Sequence, residues 1–133
     1  MRAVLDANVV VSGIFWSGTP SQVLEAWMDD RFEWVLSEPI LSEYTEVLHR
    51  ITPKAKKPSL SEEWLFLIRS HTHYCEPNSH FKICRDPKDN KYLDCAFSGD
   101  VQALVSGDED LLSLKSNFPI KILSPKEFLK ILS

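Results

Sequence analysis

Two short apolar runs, far apart in the chain, each stop at an acid. Arg2-Ala3-Val4-Leu5 leads straight into Asp6-Ala7-Asn8-Val9, and Ala103-Leu104-Val105-Ser106 leads through Gly107 into Asp108-Glu109-Asp110-Leu111-Leu112. Each run reads as a short buried strand, and the acid that follows reads as the start of a helix. In an open parallel sheet, ligands bind in the crevice outside the carboxyl ends of the strands. Two acids at two such ends therefore meet in space although they are distant in sequence. Carboxylates gathered around one crevice repel one another unless a cation lies between them. An all-oxygen donor set selects a hard ion, Mg²⁺ or Mn²⁺.

Between these runs the chain alternates short β-branched segments with helical periods, which is the signature of an α/β fold. The pattern predicts strands at Arg2–Leu5, Phe32–Leu36, His73–Glu76, Ala103–Ser106 and Ile120–Leu123, with a short extended piece at His80–Cys84. A helix is predicted over Pro20–Met28, with Thr19 as its N-cap. Another follows Ser37, is punctuated by Pro39, and turns Ile40, Leu41, Tyr44, Val47 and Leu48 inward. Ile51–Leu60, holding Pro53 and Pro58, reads as a loop, and Ser59 or Ser61 opens the next helix through Trp64, Leu65, Leu67 and Ile68. Helices are also expected at Asp86–Ser98, Leu111–Leu114 and Pro125–Leu132. Parallel neighbours need right-handed crossovers. The expectation is a small, mostly parallel sheet of about five strands between two helical layers, with residues 1–133 as a single domain.

At 133 residues, the chain can bury a core without staples. Its apolar share of 44% and charged share of 26% are those of an ordinary globular protein. No apolar run reaches membrane-spanning length, and the N-terminus reads as a strand rather than a signal peptide. Three cysteines, Cys75, Cys84 and Cys95, make an odd count at spacings unsuited to a disulfide framework. Reduced thiols and a cytoplasmic location are expected.

A net charge of −4 argues at first against a nucleic-acid partner, but the distribution says more than the sum. Lys54, Lys56 and Lys57 form a basic stretch without an acid, and Lys82, Arg85, Lys88 and Lys91 bracket the acids of residues 86–94. An acidic pocket rimmed by cations suits a phosphodiester substrate.

Asp6 suits both metal ligation and helix capping, since aspartate is among the best N-caps; Asn8 could orient it. Glu43 falls at the edge of the stripe made by Ile40, Tyr44 and Val47, where a half-buried carboxylate needs a cation or a hydrogen-bond partner. Asp86, before Pro87, reads as a helix cap. Asp89 complements the helix N-terminus or the crevice. Asp94 lies mid-helix, where aspartate is a poor helix former, on the same face as Asn90. Gly107 allows a tight turn that presents Asp108, with Asp110 as a second ligand or a cap. Ser106 could hydrogen-bond a phosphate or the acids. A zinc set drawn from His71, His73, Cys75, His80 and Cys84 competes, but it lacks the usual ligand spacing. Trp16, Trp27, Trp34 and Trp64 read as core or surface anchors.

Taken in order, Leu5-Asp6-Ala7-Asn8-Val9, Glu43 on a helix, Arg85-Asp86-Pro87-Lys88-Asp89-Asn90-Lys91-Tyr92-Leu93 and Ser106-Gly107-Asp108-Glu109-Asp110-Leu111-Leu112 resemble the PIN-domain nucleases. The resemblance is nearest to the prokaryotic VapC-like branch of toxin–antitoxin pairs, and it runs over essentially the whole chain. It implies a three-layer α/β/α sandwich and a ribonuclease using Mg²⁺ or Mn²⁺. It further implies an RNA substrate, a cognate antitoxin as partner and a homodimer. Asp6, Glu43 and Asp108 match the first, second and last acids. The third falls on Asn90, an amide, so Asp94 one turn later or Asp89 beside it would supply the charge. Arg85, Ser106, Asn8 and the lysines at 54, 56 and 57 are the expected substrate contacts.

Two rival readings stand beside this one. A haloacid-dehalogenase-like phosphatase would use Asp6 as nucleophile, but it wants an aspartate at the position of Asn8. A catalytically silent PIN-like domain would bind RNA or protein only, and Asn90 favours it.

Overall fold

A computed structural model describes residues 1–55 and 58–133, without the side chains at 54, 55 and 58. Lys56 and Lys57 lie outside the described residues. Strands β1 (Arg2–Leu5), β2 (Glu33–Leu36), β3 (His73–Tyr74), β4 (Ala103–Val105) and β5 (Lys121–Leu123) form one sheet in the order β3-β2-β1-β4-β5. Every neighbouring pair is parallel. Helices α1 (Ala7–Phe15), α2 (Thr19–Met28), α3 (Glu38–Ala55), α4 (Pro58–His71), α5 (Asn90–Ser98), α6 (Glu109–Leu112) and α7 (Pro125–Leu132) complete a three-layer α/β/α sandwich. Past Arg2 and Glu33 at their first positions, the central strands are apolar because helices cover both faces of a parallel sheet. Ala3, Val4, Leu5, Trp34, Val35, Leu36, Leu104 and Val105 are accordingly all buried. Trp27 meets Trp34 edge-on with ring centroids 4.9 Å apart, a geometry contributing about 0.5–1.5 kcal/mol beyond its buried area. Trp16, by contrast, is exposed.

Several boundaries differ from the pattern expected of the sequence. The segment read as a loop from Ile51 is helical as far as Ala55, with Pro53 inside α3. Ile51 packs with Val11, Phe15, Leu48 and Leu65, and this burial holds the chain helical past a residue that usually breaks it. The N-cap of α2 is Gly18 rather than Thr19; its φ of 132° lies where only glycine sits without strain. The third strand is two residues long, and His80–Cys84 is not a strand. The helix expected over Asp86–Ser98 is two pieces, a 3-10 turn at Pro87–Asp89 and then α5. Its N-terminus is capped by Asp86, which accepts the Lys88 N–H at 3.0 Å. Among the described residues, no helix is long and apolar enough to cross a membrane.

Candidate active site

The strand order places the crevice. From β1 the chain moves outward to β2 and β3, then returns to lay β4 and β5 on the other side of β1. The carboxyl ends of β1 and β4 are therefore the point at which the sheet's winding reverses, where such folds bind ligands. Register does the rest. Leu5 pairs with Val105, so the next residues, Asp6 and Ser106, sit side by side. The Asp6 N–H continues the ladder to the Val105 carbonyl at 3.0 Å, and the Ser106 N–H continues it to Leu123 at 2.9 Å.

Asp6 is 3% exposed. One carboxylate oxygen accepts the Val9 N–H at 3.0 Å, capping α1, and the other accepts the Ser106 hydroxyl. Burial raises its proton affinity above the usual carboxylate range. The Ser106 hydroxyl and the N–H groups of Val9 and Asn8 oppose that rise, and the Asp108 charge adds to it. Asp108 caps α6 through the Asp110 N–H at 3.0 Å, and its own N–H reaches Ser106 Oγ at 2.9 Å. A Cβ added at Gly107 would meet nothing within 4 Å, and Gly107 has no positive φ, so close packing within the chain does not require a glycine there.

Glu43 enters from α3. Its Oε1 accepts the Tyr92 hydroxyl and lies 3.1 Å from Lys91 Nζ. The Tyr92 oxygen in turn accepts the Ala7 N–H at 3.0 Å, so one buried phenol joins α5 to the first turn of α1 and to Glu43. Asp89 arrives on the 3-10 turn and caps no helix with its side chain. Its carboxyl is pushed up to about 6, first by burial and then by repulsion from Asp108, Asp86, Glu43 and Asp6. Asp6, Ala7, Asn8, Glu43, Asp89, Tyr92 and Asp108 line a crevice of about 30 Å³.

Other residues singled out in the sequence point elsewhere. Asp94 and Asn90 do share a face of α5, but that face meets the 78–84 segment: Asp94 Oδ1 accepts the Phe81 N–H at 2.6 Å, and Asn90 Oδ1 accepts the Cys84 N–H at 3.0 Å. The expectation that Asp94 reaches the crevice is thereby corrected; Asp89 lines it and Asp94 does not. The reason is the 3-10 turn, which sets the carboxylate just before α5, and not the one a turn inside it, against the acids of β1 and β4. Asp110 and Arg85 form an exposed pair at 3.7 Å on the rim. Of the zinc set, His73 lies 3.8 Å from Glu33, and Cys75 packs against the core. The side chain of Lys54 is not described. Tyr92 is the lining residue that the sequence pattern does not disclose, and Lys91 enters there only as one of the cations bracketing residues 86–94. A tyrosine among apolar neighbours reads as core, and its hydroxyl, which must find a partner when buried, was the signal available.

Among the described residues, no three His, Cys, Asp or Glu side chains converge closely enough to hold an ion by themselves. The donors are nevertheless all hard oxygens, and two of the acids have raised proton affinities that a cation would reverse. Mg²⁺ usually keeps several waters and takes only one or two carboxylates directly. The crevice fits an ion of that kind.

A three-layer parallel sandwich with acids clustered at its winding reversal is an architecture that nucleases share with other α/β enzymes. Residues 2–110 match the PIN domain family, and the chain belongs to it. The uncharacterized protein MJ1680 of Methanocaldococcus jannaschii is 28% identical over 143 aligned residues, covering 98% of this chain and 90% of that relative.

Proposed function

We propose that this chain is a Mg²⁺- or Mn²⁺-dependent endoribonuclease acting on single-stranded RNA. The observation that carries the proposal is the set of four carboxylates, Asp6, Glu43, Asp89 and Asp108, around one crevice at the ends of β1 and β4. These residues would hold the ion, directly or through water. When bound, the ion would polarise the scissile phosphate and acidify a water. Ser106 orients Asp6 and Asp108 together, and Tyr92 fixes Glu43. Arg85 and Lys88, exposed on the rim, draw in the phosphate backbone. Hydrolysis adds water to phosphorus as the bond to the leaving ribose oxygen breaks and that oxygen takes up a proton.

A single strand is the favoured substrate because a rim of separate cations can track a flexible backbone through phosphate contacts. Incubating labelled single-stranded RNA with the purified chain and Mn²⁺ tests the assignment. Cleavage should vanish on chelation and in Asp6→Asn. RNA bound without any cleavage at any divalent ion would refute it. The role of a toxin with an antitoxin partner rests on the VapC-like motifs. An antitoxin encoded in the adjacent reading frame should co-purify and block cleavage.

A further inference from the structure

Asn90, Asp94 and Ser98 stand one helical turn apart on α5, although residues of their kind favour caps and turns over helices. All three turn toward the segment that joins β3 to the 3-10 turn, of which residues 75–83 form neither helix nor strand. Ser98 Oγ accepts the Asn78 N–H at 3.1 Å and donates to Asn78 Oδ1 at 3.0 Å. Asp94 takes the Phe81 N–H at 2.6 Å, and Asn90 takes the Cys84 N–H at 3.0 Å. Every third residue of the segment thus meets every fourth residue of the helix, and the segment runs back along α5 toward its N-terminus. Phe81 fastens the middle, with its ring edge-on to Phe97 and Phe118 at centroid distances of 5.5 and 5.0 Å. These rungs order the backbone in advance, which removes part of the ordering cost that binding would otherwise carry.

The outer side of this strap is basic. Between Glu76 and Asp86 it holds no acid, while His80, Lys82 and Arg85 are exposed along it and Lys88 is exposed on the turn that follows. Among the described residues, Lys82 and Lys88 pair with no carboxylate. Arg85 meets Asp110 at 3.7 Å, but with side chains 86% and 43% exposed that pair holds weakly, and a phosphate can take its place. Lys91 differs, being occupied by Glu43 and the Lys88 carbonyl. The residue after Lys88 is Asp89, which lines the crevice. A row of available cations on a fixed backbone therefore ends at the acids.

We propose that the strap from Asn78 to Lys88 is a preformed track for single-stranded RNA, on which Lys82, Arg85 and Lys88 contact phosphates and lead the strand to the crevice, with Asp94 as a positioning residue that acts through the strap. This rests on the ribonuclease reading above and adds the surface by which the substrate arrives.

The test measures binding of a short fluorescent single-stranded RNA of mixed sequence to the full chain, in EDTA so that no divalent ion takes part. Lys82→Gln, Arg85→Gln and Lys88→Gln should each reduce the slope of log affinity against log salt by about 0.7, the loss of one phosphate contact on a single strand, and all three together by about 2. Lys121→Gln, on the first residue of β5 and so at the opposite end of the parallel strands, should leave the slope unchanged. Asp94→Ala and Asp94→Asn are both uncharged, but only the second keeps an oxygen for the Phe81 N–H. Asp94→Ala should lose affinity several-fold at an unchanged slope, because the cations stay and only their order is lost, and Asp94→Asn should retain the affinity. A slope unmoved by the triple replacement would overturn the proposal. So would a slope moved as much by Lys121→Gln as by Lys82→Gln, or a folded Asp94→Ala that binds as well as Asp94→Asn. The cation variants alter only exposed side chains, so they decide the matter even if Asp94→Ala does not fold. RNA bound along the track but left uncut with every divalent ion would refute the nuclease reading and leave the track standing.

Discussion

The Ser106 hydroxyl donates to Asp6 across 100 positions of sequence, and the same oxygen accepts the Asp108 N–H at 2.9 Å. A hydroxyl has one hydrogen to give and two lone pairs to receive. Here that small inventory sets the strand-end acids of β1 and β4 in a fixed relation. Ser106→Ala should cost about 1–3 kcal/mol, because a buried carboxylate oxygen loses its donor. It should also raise the Asp6 proton affinity further, since the hydroxyl opposes the effect of burial. Denaturant unfolding and a pH titration of the metal-free chain measure the two effects separately.

Acid pH should stabilise the metal-free protein. Asp89 binds its proton up to about 6 in the folded chain, against about 3.9 for an ordinary aspartate. The folded state therefore holds more protons between those values, and stability falls as pH rises from about 4 to about 6 before levelling. Asp6 acts in the same direction. Asp89 is only half-buried, so after solvent screening its share is about 1 kcal/mol or less. In thermal melts, Asp89→Asn should gain on the parent across that window. A parent curve that runs parallel to the variant's from pH 4 to pH 6 would refute this.

Mn²⁺ should raise the melting temperature. An ion that binds only the folded chain stabilises it by about 2.7 kcal/mol at one hundred times its dissociation constant, or roughly 5–15 °C for a chain of this size. Asp6→Asn and Asp108→Asn should each abolish the rise. An unchanged shift in both variants would place the ion elsewhere.

Asp89 and Asp94 separate by function. Asp89→Asn should eliminate cleavage with little loss of stability, because no side-chain cap depends on it. Asp94→Ala should instead destabilise by about 1–3 kcal/mol, leaving the Phe81 N–H without its acceptor. Asp94→Asn, which keeps an acceptor oxygen, should remain active. Cleavage assays paired with urea unfolding distinguish the two residues, and an inactive, fully stable Asp94→Asn would reverse the assignment.

Replacing Lys54, Lys56 and Lys57 together with Ala should weaken RNA binding and flatten its dependence on salt, while leaving the Mn²⁺ melting shift intact. An unaltered salt slope would reduce this basic stretch to a solvated connector.

The strand-end acids were legible in the sequence because an apolar run stopping at a carboxylate carries local information, and strand order then needs only the parallel rule. Glu43 was legible from its angle on a helix. What failed to show was direction. Asn90 and Asp94 share a face, as their spacing requires, but helical spacing cannot say whether that face meets the crevice or the 78–84 segment. The position of Asp89 does not show either, because the sequence pattern is that of one continuous helix where Pro87–Asp89 makes a tighter 3-10 turn. Likewise Pro53 read as a break, since the burial of Ile51 and Leu48 that overrides it depends on residues of α1 and α4.

The hydrogen bond between positions 6 and 106 also bears on when, during synthesis, the crevice can form. Asp6 emerges from the ribosome 100 residues before Ser106, which is itself seated by Leu123 of β5. A polypeptide stalled before residue 103 can pair β1 with β2 but has neither Ser106 nor Asp108 with which to close the crevice. Synthesis thus leaves the acids of β1 and β4 apart until both strand ends have been made.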